Sequence, residues 1–475
     1  MAMLTDPDAL PQLIGEYKPA DEWQARISKL FYGLRGRHQR DYSQTFASAD
    51  HRLAHALAAD YYDKVLAREK TLGTPHGSLV IHEWGCGNGN LAASFLSHLK
   101  ALDKDHKVYP RVRYVMVDDH QDTLDVARQH PDLIDHLERV EILCSDVTHL
   151  ESVETIKDGS VDRIFCNELW NDLPTKLMLR KEGEFEEEFL RPNLKEHRCA
   201  AITDWPGFVR AFEAGDVEGV RGFPPFLEDI IWEKEYRKVD WKDVPFRKTI
   251  TDMLKQIDEQ VLVPVNIGAC RTIAQAKRLL AADGIGFSSF DAGTTSMEVL
   301  NDPEKPCYAE FGGQFSFMVN FRLLDMVAGY QGIPTVSIEP QREFVGRGLR
   351  TNVASLMDLL ATHPDAASMT RQEQDRLVIG TIQALNEAYE SPYNKRIEFP
   401  VHPDAPPEAR QALQNAILAL KENGLPDTIA YLTEEEIMAA RSGLEKLGYE
   451  REALHAALAV PPQEVDYSHV FFSLS

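Results

Sequence analysis

Strand-like and helix-like runs alternate along the middle of the chain, and this alternation constrains the fold more than any other feature of the sequence. Short apolar runs such as SLVIHEW, RYVMVD, VEILCSD and VDRIFCN are separated by amphipathic helical patterns such as NLAASFLSHLKAL. Strands connected through helices pair in parallel by right-handed crossovers, so such a sheet carries helices on both faces. The sequence therefore predicts an α/β fold built on a mainly parallel sheet.

The same patterns divide the chain of 475 residues into five predicted segments. Residues 1–75 are predicted to be an N-terminal helical segment, and 76–174 the first part of the α/β core. Charged and aromatic stretches interrupt the alternation over 175–260, which indicates an insertion after the fourth strand that is expected to fold over the carboxyl edge of the sheet. The core resumes over 261–345, and 346–475 is helical again until the closing HVFFSLS, which predicts a last strand.

Composition and charge narrow the class of function. The formal net charge of −24 disfavours a nucleic-acid partner, because phosphate binding needs clustered Lys and Arg, whereas a basic protein or a small molecule is easier to accommodate. No apolar run approaches the roughly 18 residues of a membrane span, so we expect a cytoplasmic protein without a membrane partner. The six cysteines contain no CxxC pair, and no metal site is indicated. A homodimer is a further expectation.

A glycine-rich stretch follows the first predicted strand directly. HEWGCGNGN places Gly85, Gly87 and Gly89 at alternate positions after Glu83. Glycines permit a sharp turn and let a ligand approach the main chain, at the strand-to-helix turn where open α/β sheets bind ligands. The dinucleotide fingerprint needs a glycine where Asn90 stands, and the lysine of a P-loop is missing. The carboxylate of Glu83 suits a ligand with ammonium or sulfonium charge, and a purely structural turn is the alternative.

Two further acids end the next predicted strands. Asp118 ends the second strand, where a carboxylate can accept hydrogen bonds from both hydroxyls of a ribose. Asp146 ends the third strand and can accept from an adenine amino group, although a helix cap explains this acid equally well. Together with the glycine loop and Glu83, these acids predict a binding site for S-adenosyl-L-methionine.

Three blocks of the sequence resemble a known family. HEWGCGNGNLA, CNELWNDLP (166–174) and FDAGT (290–294) are similar to the signature blocks of the MidA-like S-adenosylmethionine-dependent methyltransferases. The family includes the mitochondrial arginine methyltransferase of complex I assembly. The resemblance implies a class I methyltransferase, with a Rossmann-like sheet, S-adenosyl-L-methionine as cofactor, and a protein arginine or another amine as one class of acceptor.

The resemblance is incomplete where the acceptor is expected to lie. The family usually carries Asp-Ala before Leu-Pro, Asp-Tyr-Gly after the fifth strand, and an aspartate and a histidine near 314–321. The residues of this chain at those places are Asn171, Asp172, Ala292, Gln314 and Met318. The acceptor therefore stays open between nitrogen and oxygen, and a non-catalytic assembly protein that binds S-adenosyl-L-methionine stays open as the alternative function.

Glu168 and Asn167 are the residues predicted to act on the acceptor. Methyl transfer from a sulfonium is an in-line displacement, so the protein must mainly align the acceptor and exclude water. A guanidinium or ammonium acceptor must also be held as a cation and lose a proton. The fourth strand is expected to end beside the methyl group, so Glu168 is the predicted cation-binding group or base, and Asn167 a predicted hydrogen-bond acceptor. For Glu168, a helix cap or an internal ion pair is the structural alternative.

Overall fold

The structure is a computed structural model that describes residues 12–35, 51–73, 77–242, 244–388, 431–461 and 465–474. Parts of the predicted N-terminal and C-terminal segments, at 1–11, 36–50 and 389–430, lie outside the described residues. The strands are β1 (Gln12–Leu13), β2 (Lys18–Pro19), β3 (Leu79–Trp84), β4 (Val112–Asp118), β5 (Val140–Cys144), β6 (Arg163–Asn167), β7 (Lys176–Lys181), β8 (Glu184–Leu194), β9 (Ile230–Lys238), β10 (Val263–Val265), β11 (Gly286–Thr294), β12 (Tyr308–Phe311), β13 (Gln314–Phe317), β14 (Val319–Asn320), β15 (Thr335–Pro340), β16 (Val353–Ser355), β17 (Tyr431–Thr433) and β18 (Asp466–Ser473). The α-helices are α1 (Ala20–Arg35), α2 (His51–Leu72), α3 (Asn90–Leu102), α4 (Gln121–Ala127), α5 (Glu196–Cys199), α6 (Trp205–Ala214), α7 (Val217–Arg221), α8 (Arg247–Leu254), α9 (Ile267–Leu279), α10 (Met297–Asn301), α11 (Phe321–Tyr330), α12 (Gln341–Leu349), α13 (Leu356–Ala361), α14 (Arg371–Ala388), α15 (Glu434–Lys446) and α16 (Arg451–Ala457).

The main sheet has eight strands, in the order β15-β18-β11-β6-β3-β4-β5, with the short β14 also paired to β11. Its central strands β11, β6, β3, β4 and β5 are parallel, and β18 runs antiparallel between β11 and β15. This is the α/β fold that the alternation predicts, with the Rossmann-like sheet that the resemblance implies, and the predicted strands are confirmed. Five of the six residues of β3 are buried, because this strand lies between two others and under helices on both faces.

Helices cover both faces of the main sheet and enclose two apolar clusters. On one face, α2 and α3 pack on the sheet through residues such as Leu57 and Phe95, beside Phe165 of β6. On the other face, α9 and α11 contribute residues such as Ile273 and Leu324. The main sheet is therefore the middle layer of a three-layer core, which leaves its strand ends as the accessible edges.

A second sheet of six strands stands beside the first. Its order is β1-β8-β7-β10, with β2 and β9 also paired to β8, and all of these pairs are antiparallel. The strands β7, β8 and β9 come from the predicted insertion at 175–260, whereas β1 and β2 come from the predicted N-terminal segment at 1–75. Helix α1 packs on this sheet through Trp23, whose indole N–H donates to the carbonyl of Leu190 at 2.9 Å.

The two parts of the predicted N-terminal segment therefore pack in different places. Helix α1 belongs to the apolar cluster of the second sheet, while α2 packs on the main sheet. The sequence predicts the helices but not this division, because β1 and β2 are only two residues long and carry no periodicity.

The C-terminal region adds a small helical layer. Helices α13 to α16 enclose their own apolar cluster, next to the short pair of β16 and β17. A buried ion pair between Arg52 of α2 and Glu436 of α15 joins this layer to the main domain. Across the described residues, none of the helices combines the length and the apolar character that crossing a bilayer requires.

Candidate functional site

The candidate site lies at the carboxyl edge of the main sheet. The central strands are parallel, so the residues that follow β3, β4, β5, β6 and β11 all meet on this edge. The strand register places Asp118 beside Cys144 and Asn167 beside Phe290. The predicted site residues are therefore brought to one side of the molecule.

The glycine loop turns sharply between β3 and α3. Gly85, Gly87 and Gly89 all have positive φ, at 67°, 51° and 82°. A Cβ at Gly85 would lie 2.9 Å from the side chain of Leu169, and one at Gly89 would lie 3.3 Å from Ala127, so a side chain at either position would crowd its neighbours. A Cβ at Gly87 would meet nothing within 4 Å. The bare main chain at Gly87 therefore faces open space, as a loop that contacts a ligand requires.

Glu83 lies beneath this loop rather than on an open surface. Its side chain is buried and accepts a hydrogen bond from the hydroxyl of Tyr114 at 2.7 Å. Burial raises the pKa of Glu83 to about 8, with a further contribution from the charge of Asp118. Glu83 is therefore hydrogen-bonded to Tyr114 of β4, and its contact with the cofactor stays a prediction.

Asp118 holds the loop from the neighbouring strand. Its Oδ2 accepts from the backbone N–H of Gly87 at 3.1 Å, and its Oδ1 accepts from the N–H of His120 at 3.0 Å. Burial lowers the pKa of His120, but the hydrogen bonds and charges of Asp118 and Asp119 outweigh it and raise this pKa to about 10. These three side chains also have metal-ligand spacing, but a protonated imidazole opposes metal binding.

Asp146 caps the 3₁₀ turn after β5. Its carboxylate accepts from the backbone N–H and the hydroxyl of Thr148, at 2.8 and 2.7 Å, and it is paired with Nδ1 of His149 at 2.9 Å. These hydrogen bonds outweigh burial and hold the pKa of Asp146 below its usual range. Asp146 therefore has the helix-cap role that the sequence left open as an alternative. It also lines a cavity at this edge of the sheet.

A cavity of about 600 Å³ lies between α1 and the carboxyl edge. This volume is typical of small-molecule sites, which span about 300–1,000 Å³. Its walls come from α1 and from the segments after β4, β5 and β6, together with Val217 of the predicted insertion. Of the predicted site residues, Asp146 lines this cavity. Tyr32 and His120 line it as well and were missed, and so does Asp172, which the sequence placed near the acceptor without a role. No local pattern marks Tyr32, because it stands in an ordinary amphipathic helix.

Glu168 follows β6 in an unusual backbone conformation. Its φ of 50° lies in the left-handed region, which a residue with a side chain rarely adopts. The backbone N–H of Glu168 donates to the carbonyl of Phe290 at 2.8 Å, and Oε1 accepts from the hydroxyl of Tyr467 at 2.6 Å. Beside it, Oδ1 of Asn167 is buried and has no donor among the described residues.

Asp291 of β11 links this strand to the segment CNELWNDLP, which begins on β6 and continues beyond it. It is fully buried, and its carboxylate accepts from the backbone N–H groups of Trp170 at 2.7 Å and Ala292 at 3.2 Å. Burial raises the pKa of Asp291 well above its usual range, and the charges of Glu168 and Asp172 act in the same direction. The aspartate of FDAGT therefore positions the CNELWNDLP segment.

Asp172 is the carboxylate of that segment that lines the cavity. The hydroxyl of Tyr32 donates to its Oδ2 at 2.6 Å, and Nε2 of Gln314 donates to the Tyr32 oxygen at 3.1 Å. Burial raises the pKa of Asp172 to about 7. The charges of Glu168 and Asp119 also raise this pKa, against the hydrogen bonds from Tyr32 and Gln314.

A known protein family matches part of this chain. The family model described as "Putative S-adenosyl-L-methionine-dependent methyltransferase" matches residues 64–291. No curated protein matches the chain. By this match, the chain is similar to a family of S-adenosyl-L-methionine-dependent methyltransferases, and S-adenosyl-L-methionine is its cofactor.

Several solved structures are similar over most of their length. An uncharacterized protein from Burkholderia thailandensis is 13% identical, with 97% of this chain and 88% of that chain covered and a TM-score of 0.43. A protein of the same superfamily from that organism, bound to S-adenosyl-homocysteine, is 12% identical, with 96% and 88% covered and a TM-score of 0.45. The plantazolicin methyltransferase in complex with S-adenosyl-homocysteine is 8% identical, with 95% and 96% covered and a TM-score of 0.32.

Proposed function

We propose that this methyltransferase acts on a nitrogen atom of a cationic acceptor, a protein arginine or another amine, beside Glu168. The observation that carries this proposal is the backbone of Glu168, with a φ of 50° at the end of a central strand. Strain of this kind costs about 1–3 kcal/mol and clusters at active sites, where the surrounding structure holds it in place. A carboxylate fixed in this way suits a positively charged acceptor.

The carboxyl edge fits the cofactor. We infer that the main chain around Gly87, with Gly85 and Gly89, approaches its methionine part, because Gly87 faces open space. We infer that Asp118, which also accepts from the N–H groups of Gly87 and His120, accepts from the ribose hydroxyls, and that Asp146 on the cavity wall accepts from the adenine amino group. When bound, the cofactor supplies a methyl group on a positively charged sulfur.

Glu168 and Asn167 then act on the acceptor. The hydroxyl of Tyr467 fixes the Glu168 carboxylate, which holds the cationic nitrogen in line with the methyl group. The unpaired Oδ1 of Asn167 accepts an N–H of the acceptor, which satisfies a buried oxygen that otherwise has no donor among the described residues. Both residues act by alignment, which is the main task in a displacement of this kind.

Substitution of Gly87 tests the cofactor site. Gly87→Arg is expected to abolish binding of S-adenosyl-homocysteine in titration calorimetry, because the side chain fills the open space. Gly73→Arg is the matched control, since Gly73 also has positive φ, at 73°, and nothing within 4 Å of its Cβ position. Equal affinities for the two variants would refute the placement of the cofactor at this loop.

Methyl transfer itself tests the acceptor class. Peptides rich in arginine or lysine are incubated with the protein and methyl-labelled S-adenosyl-L-methionine, and the labelled residue is then identified. We expect a methylated nitrogen, and a rate about 100-fold lower for Glu168→Gln with unchanged affinity for S-adenosyl-homocysteine. A base-labile methyl ester would assign the acceptor to oxygen, and an unchanged rate would remove Glu168 from the acceptor site.

A further inference from the structure

The cavity contains a carboxylate to which the proposed function gives no task. Asp172 lies on its wall, in the segment that also contains Glu168. Its Oδ2 accepts from Tyr32 at 2.6 Å, and Tyr32 in turn accepts from Gln314 at 3.1 Å. Two distant parts of the chain, α1 and β13, therefore hold this one side chain in place, which is more than a solvated surface acid requires.

The other carboxylates near the cavity are less suited to meet an acceptor. Asp291 is fully buried with its oxygens on backbone N–H groups, and Glu83 is buried against Tyr114. Asp146 is occupied as a cap, and the exposed Asp119 is paired with His120. Among these five carboxylates, Asp172 differs in three respects taken together. It is partly buried, it lies on the cavity wall, and it accepts its hydrogen bond from the uncharged hydroxyl of Tyr32.

The charges around Asp172 favour a positively charged ligand. Glu168 and Asp119 act on it as negative charges. Lys29 and His120 are the cations of the cavity wall, and the charge of His120 is already compensated by Asp118 and Asp119. A cation that enters beside Asp172 would therefore be attracted.

We propose that Asp172 binds the cationic nitrogen of the acceptor and takes its proton, while Tyr32 is the positioning residue that holds the carboxylate. This proposal rests on the proposed function, because it assigns the proton-transfer step of the same reaction. Glu168 then aligns the acceptor, and the two carboxylates divide the work of alignment and deprotonation.

The reaction balances with these groups. An N–H bond of the acceptor breaks, and its proton goes to the Asp172 carboxylate. The freed lone pair on nitrogen forms the bond to the methyl carbon while the bond between sulfur and methyl breaks. The electron pair of that bond stays on sulfur, which becomes a neutral thioether, and Asp172 later returns its proton to water.

Binding of small cations tests the proposal without knowledge of the natural acceptor. n-Butylguanidine and n-butylamine are titrated into the protein saturated with S-adenosyl-homocysteine, with 1-pentanol as the neutral control. We expect saturable binding of at least one cation and none of pentanol. Asp172→Asn should weaken binding about 10- to 100-fold, the range for a lost charged hydrogen bond, and Tyr32→Phe by less. Asp122→Asn, on the same cavity wall, should change nothing.

The outcomes separate this inference from the proposed function. If S-adenosyl-homocysteine binds but neither cation does, or if Asp172→Asn and the wild type bind the cation equally, Asp172 is not the acceptor-binding group. If S-adenosyl-homocysteine fails to bind, the cofactor site itself is wrong. Should Asp172→Asn not fold, Tyr32→Phe decides, because undiminished cation binding in that variant overturns the role of the pair.

Discussion

At the scale of single residues, two buried acids near the site have raised pKa values. The pKa is about 8 for Glu83 and about 7 for Asp172, and burial is the main cause in each case. A buried acid with a raised pKa is held in its neutral form over part of the physiological range. Such residues couple the stability of the fold to pH, and this coupling can be measured without an acceptor.

Glu83→Gln is expected to flatten the dependence of stability on pH. An unfolded glutamate has a pKa of about 4.3, so between that value and about 8 the folded state binds more protons than the unfolded state. The free energy of unfolding of the wild type therefore falls as pH rises through this window, by about 1.4 kcal/mol per pH unit from this group. Gln keeps an oxygen for Tyr114 and removes the ionisation.

Urea denaturation at pH 5, 6, 7 and 8 measures this difference. The wild type should lose up to about 4 kcal/mol more than Glu83→Gln over the series. Glu141→Gln, at the exposed edge strand, is the control and should follow the wild type. Parallel curves for the wild type and Glu83→Gln would contradict a raised pKa at this position.

At the scale of elements, the segment after β6 is the part of the site that depends most on its neighbours. It is fixed to β11 by Asp291, to β18 by Tyr467 and to α1 by Tyr32. Glu168 keeps its unusual φ because hydrogen bonds hold both its backbone N–H and its carboxylate. Loss of one of these connections should therefore alter the reaction as well as the stability.

Asp291→Ala is expected to slow methyl transfer although Asp291 does not line the cavity. The variant leaves the backbone N–H of Trp170 without its partner, which costs about 1–3 kcal/mol, and loosens the segment that carries Glu168. Affinity for S-adenosyl-homocysteine should stay close to that of the wild type. Urea denaturation and the labelled transfer assay on one preparation separate the two effects.

Asp103→Ala supplies the comparison for that variant. Asp103 is also fully buried, and it accepts from three backbone N–H groups, those of Lys107, Val108 and Tyr109. Its loss should reduce stability but leave the rate per folded molecule unchanged, because it lies after α3 and away from the segment that follows β6. A full rate in Asp291→Ala would contradict the role of Asp291.

At the scale of the whole molecule, the cavity depends on both sheets. Helix α1 packs on the second sheet and forms one wall of the cavity, and the segments that follow strands of the main sheet form another. Gln24 of α1 donates to the carbonyl of Leu173 at 3.0 Å and accepts from the N–H of Thr175 at 2.7 Å, so α1 is bonded to the chain where it leaves the main sheet. The second sheet fixes the other side of α1 through Trp23. The wall opposite the strand ends is therefore built by residues that precede the core in sequence.

The sequence by itself determined the main sheet and the place of the site. Strand and helix periodicity are local properties, so the alternation between 79 and 167 predicts the parallel strands that the structure contains. The glycines after β3 and the acids after β4 and β5 are likewise identified by their position after a strand. Parallel pairing alone then brings them to one edge.

Only the tertiary structure decided which side chains meet there. Tyr32 and Asp172 are 140 residues apart, Gln314 and Tyr32 are 282 apart, and Glu168 and Tyr467 are 299 apart. Contacts over such separations depend on how α1, β13 and β18 pack, and no local periodicity encodes that packing. For the same reason the sequence left Asp146 open between a ligand contact and a helix cap and did not identify Asp172 as a wall of the cavity, since burial and hydrogen bonding give these carboxylates their chemical character.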